Sequence, residues 1–241
     1  VTYAQFLLLF LVLPTALLLL RRPRIDRVHL VSMALLVVVA VAYTTPWDNY
    51  LVAQGVWGYG PGRVLATIGY VPVEEYLFFV LQPVLLGVWL ASLRGWRLTG
   101  AEPARPWARW AGAAFWLACA GLGALILRGE TLYLGLILVW AAPPLALQAA
   151  YGGDWLLARA RPLGLTVAVP TLYFWAADRL AIGLGIWEIH TSVGAVLGLP
   201  VEEALFFLLT NVLVVQGLAL ARPVLAARQV HPRPAGRPAE A

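Results

Sequence analysis

The chain has 241 residues, 61% of them hydrophobic and only 12% charged, against roughly 45–50% and 25% in soluble domains. That composition excludes a soluble globular protein. The net charge of +5 comes wholly from arginine, since no lysine occurs, which excludes Schiff-base chemistry and with it a retinal-binding pump.

A membrane-crossing helix needs about 20 mostly apolar residues. Apolar runs fall at about 3–20, 28–46, 72–93, 107–127, 132–150, 162–182 and 196–221, so the expected fold is all-α, an integral membrane protein with seven transmembrane helices. Cys119 lies in an apolar run and reads as packing. The first run has its arginines after it and no small-residue cleavage site, so it reads as a retained span.

Arginines cluster after the first span (Arg21, Arg22, Arg24, Arg27), the third (Arg94, Arg97, Arg105, Arg109), the fifth (Arg159, Arg161) and the last (Arg222, Arg228, Arg233, Arg237). Arg63, Arg128 and Arg179 fall on the other side. The positive-inside rule then places the N-terminus outside and the C-terminus in the cytoplasm of a cell whose plasma membrane holds the chain. The Pro-, Arg- and Ala-rich tail, 223–241, reads as disordered.

The chain repeats itself. Tyr43, Asp48 and Trp57 return as Tyr173, Asp178 and Trp187, each 130 positions on. Pro72-Val-Glu74-Glu75-Tyr-Leu-Phe78-Phe79 returns as Pro200-Val-Glu202-Glu203-Ala-Leu-Phe206-Phe207, offset by 128, and Pro14 and Pro143 extend the match weakly backward. Spans one to three therefore match five to seven, and the fourth restores a common orientation. The reading is a parallel 3+1+3 repeat: 1–94, a linking span in 95–129, and 130–222, with matched residues at one membrane depth.

An acidic residue inside an apolar span costs about 2.5–3.5 kcal/mol on insertion scales and so marks function by default. Pro followed by Glu also suits the start of a helix, where the acid caps free amides. One acid suffices for that, however, and adjacent residues point about 100° apart on a helix, so at least one of each pair faces the bundle. Phe78 and Phe79, and in the second copy Phe206 and Phe207, continue the two faces with aromatic rings. Glu74, Glu75, Glu202 and Glu203 are the candidate acid/base set. Asp48 and Asp178 end the second and sixth spans and are supporting candidates, although Asp178 has Arg179 as a local ion-pair partner. Trp57 and Trp187 suit interfacial anchoring, with a supporting role at the site as the other reading. His29, His190 and His231 do not repeat and carry no assigned chemistry.

At the paired Pro-Val-Glu-Glu motifs the chain resembles the lycopene cyclases built of two small homologous membrane halves, separate subunits in some bacteria and fused in archaea and fungi. It is similar to the fused form over nearly its whole length to the tail, and the family signature Pro-x-Glu-Glu/Asp falls on Pro72, Glu74, Glu75 and on Pro200, Glu202, Glu203. The resemblance implies closure of the open ends of lycopene to β-ionone rings, through γ-carotene to β-carotene. That chemistry protonates a terminal alkene, shelters a tertiary cation from water and removes a different proton, without net redox change.

No metal and no cofactor is implied: Gly55-Val-Trp-Gly58-Tyr-Gly60-Pro-Gly62 lacks the dinucleotide-binding spacing and a preceding strand, and no Asp-rich diphosphate motif occurs. The expected partners are a lipophilic carotenoid and membrane lipid, with no nucleic acid. The rivals are a small 3+1+3 transporter, a related membrane enzyme acting on another carotenoid end, and an acid-rich partner subunit. A transporter calls for a polar site near the midplane, whereas the spans here are short of Asn, Gln and Ser.

Overall fold

The computed structural model describes residues 1–93 and 105–230. The fold is mostly helical. In chain order the helices are α1 (Tyr3–Leu20), α2 (Arg27–Ala53), α3 (Val73–Ser92), α4 (Trp107–Leu125), α5 (Leu132–Ala158), α6 (Ala160–Gly183) and α7 (Val201–Val230). Six of them, all but α6, are long and apolar enough to cross a membrane. The 24-residue α6 has the length but carries Arg161, Asp178 and Arg179. The chain is therefore a membrane protein. Helix α7 continues to Val230, so residues 223–230 of the expected tail are helical; Arg94, Arg97 and 231–241 lie outside the described residues.

Six short strands depart from the all-helical expectation. They are β1 (Trp57–Tyr59), β2 (Thr67–Ile68) and β3 (Val71–Pro72) between α2 and α3, and β4 (Trp187–Ile189), β5 (Ala195–Val196) and β6 (Leu199–Pro200) between α6 and α7. Strands β2–β3 and β5–β6 form hairpins, and β1 pairs with β4 antiparallel. In that ribbon Gly58 faces Glu188, its equivalent at the repeat offset, flanked by Trp57 opposite Ile189 and Tyr59 opposite Trp187. The hairpin loops are two residues long, with Gly69 at φ 69° in one and Leu197 at 55° with Gly198 at 76° in the other, conformations that match the strand twist.

Prolines inside the helices each leave the carbonyl four residues earlier without its helical N–H. In an apolar bundle that carbonyl needs another donor. Pro14 frees Phe10, whose oxygen accepts the Tyr173 hydroxyl at 2.9 Å; Pro144 frees Trp140, which accepts Tyr43 at 2.8 Å; Pro170 frees Thr166, which accepts Trp89 Nε1 at 3.1 Å. The first two are equivalent at the 130-residue offset and each joins one half to the other. They pair Pro14 with Pro144 rather than with Pro143. A short π-helical turn, Leu8–Val12, precedes Pro14 and absorbs the local misfit.

Helix α4 packs mainly on α5. Gly123 and Gly135 allow the close approach, since a side chain at either would meet the other's backbone oxygen. Arg109 Nε donates to Asp154 Oδ1 at 2.7 Å across the same pair. The central core is aromatic: Tyr3, Phe6, Phe78, Phe79, Phe174 and Phe207 are buried together.

Candidate active site

The two glutamates of each motif separate at the start of α3 and α7. Each helix begins one residue after its proline, and both acids fall in the first turn. The first glutamate turns back to the loop: Glu74 Oε1 accepts the Leu65 N–H at 2.8 Å, and Glu202 accepts the Val193 N–H at 2.8 Å and the Ser192 hydroxyl at 2.6 Å. Both are fully buried. The second glutamate, about 100° around the helix, faces inward.

Glu75 and Glu203 line one cavity with Asp48 and Asp178, and it has about 600 Å³ of empty space, its open mouth included. The remaining lining is aromatic and aliphatic and includes Tyr3, Tyr59, Tyr133, Trp57, Trp187 and Phe206, and among the described residues no arginine or histidine contributes to it. Phe78, Phe79 and Phe207 complete the floor. The site draws on both halves of the chain. Of the twelve residues singled out in the sequence, ten line the cavity; Glu74 and Glu202 do not.

Three tyrosines hold the inward glutamates. Glu75 Oε2 accepts Tyr3 at 2.7 Å and Tyr59 at 3.2 Å, and Glu203 Oε1 accepts Tyr133 at 2.6 Å. Tyr59 in turn accepts Trp57 Nε1 at 3.3 Å. Burial, with the Glu75 and Asp48 carboxyls nearby, pushes the Tyr59 phenol well above its ordinary range, so it stays a donor. None of these tyrosines was a sequence candidate. Tyr3 and Tyr133 are 130 positions apart, the offset that relates Asp48 to Asp178, so the repeat itself carried the signal.

The halves are not identical at the site. Ile189 stands where the first half has Tyr59. Trp187 Nε1 donates to Asp178 Oδ1 at 2.8 Å, whereas Trp57 donates to Tyr59. Asp178 Oδ2 has no N–H or O–H partner, and Asp178 and Glu203 line the same cavity. Asp48 Oδ2 also lacks a donor, and its carboxyl lies within electrostatic reach of Glu75 and Glu203.

Two sequence readings change here. The tryptophans are half-buried parts of the cavity wall rather than simple interfacial anchors, because their indole N–H groups have partners inside. Asp178 pairs with Trp187 and not with Arg179, which instead lies against the hairpin at Gly198. Asn49, the equivalent of Arg179, likewise accepts the Tyr70 N–H in its own hairpin at 2.9 Å. His29 is buried against the Gly87 carbonyl at 3.0 Å, away from the cavity. Among the described residues no group of three or more His, Cys, Asp or Glu is placed to hold a metal ion.

Residues 2–92 match the lycopene cyclase family model. A protein named lycopene beta-cyclase from Halobacterium salinarum is 45% identical over 204 residues, 83% of this chain and 86% of that protein. A bifunctional lycopene cyclase/phytoene synthase from Sporisorium reilianum is 35% identical over 231 residues, 89% of this chain but 34% of the fungal protein. One from Gibberella fujikuroi is 34% identical, over 82% of this chain and 36% of its own length. No solved structure matches. With an archaeal relative aligned over most of both chains, and the first glutamate motif inside the matched segment, the chain belongs to the lycopene cyclase family.

Proposed function

We propose that the protein is a lycopene β-cyclase that closes the linear ends of lycopene to β-ionone rings, one end at a time. The observation that carries this reading is the aromatic cavity in which Asp48, Glu75, Asp178 and Glu203 converge from both halves, with no cationic side chain among the described residues that line it. The names of the relatives supply the substrate class. A facilitator does not account for four carboxyls set among aromatic rings.

The Asp178–Glu203 pair, which lines the cavity from the second half of the chain, is the acid. It protonates the terminal alkene of the bound end; the neighbouring alkene attacks the resulting tertiary cation, and a new carbon–carbon bond closes the ring. Ring faces around the cavity stabilise the cation by about 0.5–2 kcal/mol each, and the dry wall keeps water from capturing it. Glu75, held by two phenol donors, takes the departing proton. One proton enters and one leaves, so the product is an isomer of the substrate. Asp48 lies within electrostatic reach of both glutamates and returns the proton to the acid pair. No redox cofactor is needed for this sequence. Glu74 and Glu202 act indirectly, by fixing the loops that carry Tyr59 and Trp187.

In the membrane, α6 also crosses and brings the spans to seven, the halves are parallel three-helix repeats joined by α4, and the N-terminus is outside the plasma membrane with the C-terminus in the cytoplasm. The equal placement of Gly58 and Glu188 in the ribbon supports a local twofold relation between halves. So do the paired bonds Tyr43–Trp140 and Tyr173–Phe10. Expression in a lycopene-accumulating host tests the function: γ- and β-carotene should form, and lycopene left unchanged beside well-inserted protein would refute it.

A further inference from the structure

A second cleft shares Phe78, Phe79 and Phe206 with the carboxyl cavity as a common wall. It runs between α2, α3, α5 and α7, with about 690 Å³ of empty space. Its rim includes Val39 and Tyr43, 58% and 43% exposed on the outer surface of the bundle, so the cleft opens sideways toward lipid. Its polar side chains are largely spent within the wall. Gln82 donates to Thr210 and Asn211 at 3.0 and 3.2 Å, Thr210 to the Phe206 carbonyl at 2.9 Å, and Gln148 to the Leu213 carbonyl at 2.9 Å. Gln148 Oε1 and Trp140 Nε1 are the exceptions, each buried without a partner.

The cleft breaks the repeat. Thr44 lines it, and the residue 130 positions on is Phe174. Phe174 is buried and stacked on Phe207 with ring centroids 5.3 Å apart, and Asn211 donates to Thr171 beside it at 3.0 Å. The space that a threonine leaves open in one half is filled by a ring in the other.

We infer that this cleft binds the conjugated hydrocarbon chain of the substrate, extending from the end held among the carboxyls and out toward the bilayer. The inference rests on the cyclase reading for the identity of the chain. A polyene has no hydrogen-bonding group, so it favours a largely apolar wall most of whose polar atoms are already paired. A cleft that leads from the carboxyl cavity fits the proposal that the ends are processed in turn.

The test uses Glu203→Gln protein with lycopene bound, labelled by an apolar diazirine and mapped residue by residue. Lycopene should lower labelling at Val39 and Tyr43 relative to Leu172, which is 61% exposed elsewhere on the helical surface. Thr44→Phe, which copies the ring already present at Phe174, should remove that protection and, with Glu203 intact, lower kcat/KM for lycopene about tenfold or more, while Leu165→Phe, at a position 65% exposed on α6 and outside the cleft, keeps both. Parallel loss of label at Val39 and Leu172, no loss at either, or protection that survives Thr44→Phe would overturn the inference. Wild-type protein that fails to cyclise lycopene yet shows selective protection would instead overturn the cyclase reading and leave the cleft as a polyene site.

Discussion

Tyr3 and Tyr133, 130 positions apart, each place a hydroxyl on the inward glutamate of a motif: Tyr3 on Glu75 at 2.7 Å and Tyr133 on Glu203 at 2.6 Å. Each sits at or near the start of its span, so the first helix of a half orients the acid of the third. Hydrogen bonds to charged groups contribute about 1.5–3 kcal/mol. Tyr3→Phe and Tyr133→Phe should therefore each lower kcat by about 10- to 100-fold with little change in the amount of folded protein. Normal turnover in both variants would remove the tyrosines from the account.

The two glutamates of each motif should respond differently. A glutamine at position 74 or 202 can still accept the loop N–H, so Glu74→Gln and Glu202→Gln should keep most activity. Glu75→Gln and Glu203→Gln should lose nearly all of it. Carotenoid analysis of the four single variants checks this, and equal losses in all four would contradict the separation.

Acid and base can be told apart in deuterated water. Glu203→Gln lacks the proton-holding partner and should return lycopene without deuterium. Glu75→Gln can still protonate the alkene, so deuterium should enter recovered lycopene or misplaced-double-bond products. Mass spectrometry of the carotenoids reads the outcome; the reverse pattern would exchange the two roles.

The proline-freed carbonyls make a stability prediction. Tyr43→Phe leaves the Trp140 oxygen without its donor and should cost about 1 kcal/mol. In a Pro144→Ala background the residue 144 N–H can take that oxygen, so the same substitution should cost less. A double-mutant cycle by thermal unfolding in detergent measures the coupling, and strict additivity would mean that the residue 144 N–H does not take over the Trp140 oxygen.

How far the sequence could be read varies by element. Apolar runs and arginine clusters located the helices, because a bilayer demands about 20 apolar residues per crossing. The β1–β4 ribbon was invisible: three-residue strands show too little alternation to register, and their pairing joins residues far apart in the chain. Pro-Val-Glu-Glu marked the site, yet it could not say which acid turns inward, since that follows from where the loops present free N–H groups to Glu74 and Glu202. Asp178 looked like a partner for Arg179 by adjacency, and only the packed loops showed Trp187 and Glu203 to be its neighbours.

The central claim is that the halves form one composite site. The most direct measurement is the product profile of Glu203→Gln under conditions where the wild type converts lycopene first to γ-carotene and then to β-carotene. The composite site predicts loss of both products, because the Asp178–Glu203 proton begins every ring closure. Formation of γ-carotene at the wild-type rate, with arrest only there, would mean that each half acts alone and would contradict it.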